Sequence, residues 1–124
     1  MEMPPANARE TAWSKYLAYL MGGIPEYRTY DGSRCDVVVA GLAVEVEWLK
    51  KWREAPGQAG QYASQLGLSP VVILLRRGHD HDHRYLAQAY AACAVLGVPV
   101  WTFDTAGRYR GRTTIPEHLL RPPR

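Results

Sequence analysis

Two hydrophobic rhythms run along this chain. From Asn7 to Met21, Ala12, Tyr16, Tyr19 and Leu20 fall three and four residues apart, with Trp13 and Leu17 beside them. That spacing predicts a helix. Asn7 is a plausible N-cap with Glu10 three residues on, and Gly22-Gly23 is the stop. The rhythm then shortens. Glu26 to Tyr30 reads as a strand with Asp31-Gly32 as its turn, Asp36 to Ala40 as a second strand, and Leu42 to Leu49 as a third after Gly41. Pro56-Gly57 interrupts the chain, and Gln58 to Leu66 reads as a helix closed by Gly67. Val71 to Leu75 is an apolar run suited to a buried strand. A helix from about Arg84 to Leu96 and a strand from Val98 to Phe103 complete the pattern. The expected order is α-β-β-β-α-β-α-β: an α/β fold with a mixed central sheet flanked by helices.

The 124 residues suggest one domain, with residues 1–6 and 113–124 expected to be flexible. A hydrophobic fraction of 47% argues against disorder, and the apolar runs are too short to span a bilayer. Without a leader-like N-terminus, a cytoplasmic protein is the expectation. Cys35 and Cys93 form neither a disulfide framework nor a Cys-x-x-Cys pair, and both are expected to be reduced. The net charge of +3 rests mostly on arginine, which permits nucleic-acid contact.

The candidate chemistry lies on the second and third strands. Glu45 and Glu47 stand two residues apart, which puts them on one face of a strand, roughly 6–7 Å apart. If the ribbon folds back near Gly41, Asp36 comes close to them. Three converging carboxylates suit Mg²⁺ or Mn²⁺. The plain alternative is a hairpin with a solvated acidic face.

With this Asp and Glu-Val-Glu in this strand order, the chain resembles the PD-(D/E)XK nuclease superfamily over roughly Glu10 to Arg76. The resemblance implies a restriction-endonuclease-like α-β-β-β-α-β core with an extra helix and strand. Asp36 takes the place of the family's Asp and Glu45 that of its first acid. Glu47 stands where lysine is usual, and Cys35 replaces the proline before the Asp. Gln58 and Tyr62 are similar to the Gln-x-x-x-Tyr element of recombination exonuclease domains, and Glu10 to a metal-site glutamate on the first helix of Holliday-junction resolvases. The resemblance implies metal-dependent DNA hydrolysis. Asp36, Glu45 and the Val46 carbonyl would hold Mg²⁺ or Mn²⁺, with Glu10 as a further ligand. Glu47, Gln58 and Tyr62 would support the chemistry. Lys50, Lys51, Arg53, Gln61, Arg76 and Arg77 are candidate DNA contacts, Trp52 joining the first three in a basic, aromatic patch. A homodimer is expected, and no organic cofactor.

A rival reading keeps the nuclease fold without catalysis, as a protein that binds DNA or protein; the missing lysine favours it. A third centres on His79-Asp80-His81-Asp82-His83, whose spacing permits Zn²⁺ or Ni²⁺ but equally a polar loop with Asp82 capping the next helix.

Overall fold

The computed structural model describes residues 1–78 and 83–121. The elements follow the expected order: α1 Glu10–Met21, β1 Ile24–Arg28, β2 Arg34–Val39, β3 Leu42–Trp48, α2 Ala55–Leu66, β4 Ser69–Arg76, α3 His83–Leu96 and β5 Val100–Asp104. A 3-10 segment, Leu49–Glu54, follows β3, and another, Glu117–Leu119, lies near the C-terminus. The sheet order is β1-β2-β3-β4-β5. The first two pairings are antiparallel and the last two parallel, which makes an open mixed sheet. Among the described residues no helix is long and apolar enough to cross a membrane.

The strand alternation of β3 and β4 builds a core on each side of the sheet. Val44, Val46, Val71, Ile73 and Leu75 meet Trp13, Leu17 and Met21 of α1. Val72 and Leu74 face the other way, toward Ala55 and Ala59 of α2, Ala89 and Cys93 of α3, and Leu49 and Trp52. Burial of these large side chains stabilises by about 1.5–3 kcal/mol each.

Helix α1 starts later than its apolar rhythm suggests. Its N-cap is Arg9, and no side chain caps it. The Asn7 cap and the Glu10 capping box are therefore corrected. The helix stops at Gly22, whose φ of 69° suits glycine. Gly23 then lies so close to β2 that a Cβ would sit 2.8 Å from Val39 Cβ. Strand pairing thus begins directly after the helix, at Ile24, and Tyr30 belongs to the exposed turn. Helix α2, by contrast, starts earlier than expected. Pro56 sits in its first turn, where its missing N–H is no loss, and opens the helix instead of breaking it.

The segment after β5 runs along the sheet edge. Thr113 bridges to Phe103, the Thr113 hydroxyl donates to the Thr102 carbonyl at 2.6 Å, and Ile115 is buried in the α1-side core. Residues 113–121, expected to be flexible, thus carry packed contacts through Thr113 and Ile115.

Candidate metal centre

The site forms where the β2–β3 ladder stops. Its register runs Val39↔Leu42, Val38↔Ala43, Val37↔Val44, and would next pair Asp36 with Glu45. It does not. Cys35 clusters with Val38, Ala43 and Ala63 on the α2 side, although strict alternation would put it with Val37 on the α1 side. The side-chain alternation of β2 therefore slips at Asp36, as at a β-bulge. On the neighbouring strand Glu26, opposite Asp36 in register, has a φ of 49°. The slip aims Asp36 at β3, and the Val46 N–H donates to Asp36 Oδ2 at 2.8 Å. A strand residue in an antiparallel ladder points its N–H and C=O at the same neighbour. The Val46 carbonyl therefore points toward the β2 side as well.

Glu45 and Glu47 lie on the α2 and α3 side of β3, opposite Val44 and Val46, as the alternation predicts. The solvated acidic face is not what results, because each glutamate is only 6% exposed. Water is excluded by α2, which packs on both β3 and β4. The Trp48 N–H donates to Glu47 Oε1 at 2.9 Å, which fixes that carboxylate. Glu45 Oε2 is buried and has no hydrogen-bond partner.

Four acids converge here. Burial, then the neighbouring Asp36 charge and a proton shared with Asp36, push Glu45 up to about 10. Asp36 is raised, first by burial, while its bond from Val46 opposes the shift. Burial, then a hydrogen bond and charge from Glu47, push Glu10 up to about 8, with Lys51 pulling it back. Glu10 thus joins the cluster from α1. Glu26 adds a further negative field on Asp36. Buried like charges hold protons unless a cation replaces them.

Hard oxygen donors, a buried unsatisfied Glu45 oxygen and excess negative charge fit Mg²⁺ or Mn²⁺. Among the described residues, no group of three or more His, Cys, Asp or Glu side chains stands as a ready-made metal site. The carboxyls are instead engaged with one another and with the backbone.

The other expected residues divide. Tyr62 is near the cluster: burial, then the Glu45 and Asp36 charges, raise its hydroxyl, which is linked to Ser33. Gln58 lies one turn earlier on α2 and, with Gln61, is exposed. Lys50, Lys51 and Arg53 are exposed on the 3-10 segment. Trp52 is not part of an open patch with them; it is buried against Val72 and Leu74, a correction of the expected aromatic surface. Arg53 instead reaches Gln88 at 3.2 Å. Arg77 is exposed, with its guanidinium 4.0 Å from the Trp48 ring centroid. Arg76 is half-buried beside Asp104, 3.9 Å away. Of the histidine cluster, His79, Asp80, His81 and Asp82 lie outside the described residues; His83 opens α3. Cys35 and Cys93 are free, buried thiols, and burial followed by the Glu45 charge pushes Cys35 up to about 11.

Reading from sequence missed Glu26. Its signal, an acid on the neighbouring strand at the level of Asp36, becomes visible only once the β1–β2 register is known. No family model, no curated protein and no solved structure matches the chain.

Proposed function

We propose that this protein is a Mg²⁺- or Mn²⁺-dependent deoxyribonuclease with a restriction-endonuclease-like core. The observation that carries the reading is the Asp36–Val46 bond at the point where β2 and β3 part, with Asp36 paired to the buried Glu45 carboxyl, one oxygen of which has no hydrogen-bond partner. Asp36, Glu45 and the Val46 carbonyl would hold the cation, with Glu10 next to them. Bound there, the cation would polarise the scissile phosphate and acidify a water. Asp36 and Glu45 would release their shared proton when it binds. Glu47, held by the Trp48 N–H and hydrogen-bonded to Glu10, would accept the proton of the attacking water. Tyr62 and Gln58, one turn apart on α2, would orient a phosphate oxygen at the edge of the cluster. Lys50, Lys51 and Arg77 supply exposed positive charge at the same end of the sheet for the DNA backbone.

A second reading, a nuclease fold that binds DNA without cutting it, is favoured by Glu47 in the position where lysine is usual. Nicking of supercoiled plasmid separates the two. The nuclease reading expects nicking in Mg²⁺ or Mn²⁺ that EDTA and Asp36→Asn abolish. Absence of nicking in either metal, with DNA affinity unchanged in Asp36→Ala, contradicts it.

A further inference from the structure

A second site lies on the same face of the sheet as the acid cluster. Glu47 is in register with Leu74 of β4, and Leu74 with Thr102 of β5. Register partners point to one face, and two strand spacings put Thr102 about 10 Å from Glu47. One level further on, Arg76 pairs with Asp104 in register. Here a cleft of about 370 Å³ opens, lined by Arg76, His83, Asp104, Tyr109, Arg112 and Thr114, among others.

The cleft is built from backbone-anchored parts. The Thr102 N–H donates to Thr114 Oγ1 at 2.8 Å, and the Asp104 N–H donates to the Arg112 carbonyl at 2.8 Å, so the segment carrying Tyr109 and Arg112 is tied to β5. Gly78 forms part of the wall, and a Cβ there would meet the Ala106 carbonyl at 2.9 Å. Arg76 Nε is buried without a hydrogen bond; the Asp104 oxygen at 3.9 Å is too far for one. Arg112 lies 5.3 Å from the Tyr109 ring, which is 52% exposed.

We propose that this cleft binds one unpaired nucleotide of the DNA strand, so that the substrate is a strand end or single-stranded flank; this rests on the nuclease reading. Arg76 and Arg112 take the phosphate through their forked donors. The Tyr109 ring meets Arg108 at 5.5 Å and Arg112 at 5.3 Å, and Arg112 turned to the phosphate leaves its place on the ring to the base, which only an unstacked base can reach. Asp104, ion-paired with Arg76, disfavours a bare anion. The volume is that of a small-molecule site and exceeds what a lone phosphate fills.

The test is a backbone amide NMR titration of the full chain in EDTA with thymidine 5′-monophosphate, thymidine and inorganic phosphate. Saturable shifts at Thr102, Thr113 and Thr114 are expected with the monophosphate. Thymidine and phosphate are expected to bind at least about tenfold more weakly, and Arg112→Ala to weaken the monophosphate by about tenfold, with Arg112→Lys intermediate. Unchanged amide spectra elsewhere in Arg112→Ala establish that it folds. No shifts at the cleft, an unaffected Arg112→Ala, or phosphate binding as tightly as the nucleotide overturns the proposal. The two readings fail separately: nucleotide binding without Mg²⁺- or Mn²⁺-dependent cutting of a duplex with single-stranded tails removes the nuclease reading, whereas such cutting without cleft binding removes the cleft.

Discussion

Asp36 accepts the Val46 N–H at 2.8 Å, a bond that would fall to a backbone carbonyl had the β2–β3 ladder continued. One side chain thus ends the ladder, satisfies a strand donor and shares a proton with the buried Glu45 carboxyl.

That double role separates two substitutions. Asp36→Asn keeps an acceptor for Val46 and loses the charge, so the fold is retained while metal affinity and cutting fall by at least about a hundredfold. Asp36→Ala leaves the Val46 N–H without its partner and is expected to cost a further 1–3 kcal/mol or so of stability. Urea unfolding and the nicking rate, measured on both variants, check this. Equal stability of the two contradicts it.

The acids also set the pH response of the metal-free protein. Glu10 rises from 4.5 to about 8, and Glu45 from 4.5 to about 10. The folded chain therefore keeps protons that the unfolded chain releases above their ordinary values, and stability falls as pH rises through that window. In EDTA, Tm is expected to decline from about pH 5 to about pH 9, and Glu45→Gln to flatten the decline and raise Tm at the alkaline end. Mn²⁺ at about pH 8 is expected to raise Tm of the wild type by mass action and to leave Glu45→Gln nearly unmoved. Asn7→Ala, outside the helix and the cluster, is expected to shift Tm little at any pH.

Strand alternation made much of this legible. The valines of β3 announced a buried face, and the fold-back at Gly41 brought Asp36 to the glutamates. What alternation cannot carry is the slip at Asp36, because a bulge is a relation between two strands. Burial of Glu45 and Glu47 was equally hidden: alternating charge reads as solvent, and only the seating of α2 over β3 excludes water. Pro56 reads as a breaker because proline stops a helix interior, yet in a first turn it opens the helix. A short 3-10 run such as Leu49–Glu54 has no periodicity of its own, so its sequence does not show that Trp52 turns into the core. The Thr113–Ile115 edge contact rests on threonine hydroxyls replacing ladder bonds, which composition does not reveal.

The β2–β3 turn offers a test of the fold alone. Ala40 and Gly41 both have positive φ, 49° and 77°, as a two-residue turn of the type I′ kind requires. An alanine there is strained, whereas asparagine tolerates the conformation. Ala40→Asn is expected to stabilise by about 1 kcal/mol in urea unfolding. A destabilised variant would contradict the turn.

The central claim is that Asp36, Glu45 and the Val46 carbonyl share a divalent cation. Anomalous scattering from a crystal soaked in Mn²⁺ tests it most directly. The account predicts a peak within coordination distance of those three groups, and its loss in Asp36→Asn. A Mn²⁺ peak found only elsewhere, or none with the site open to solvent, would contradict it.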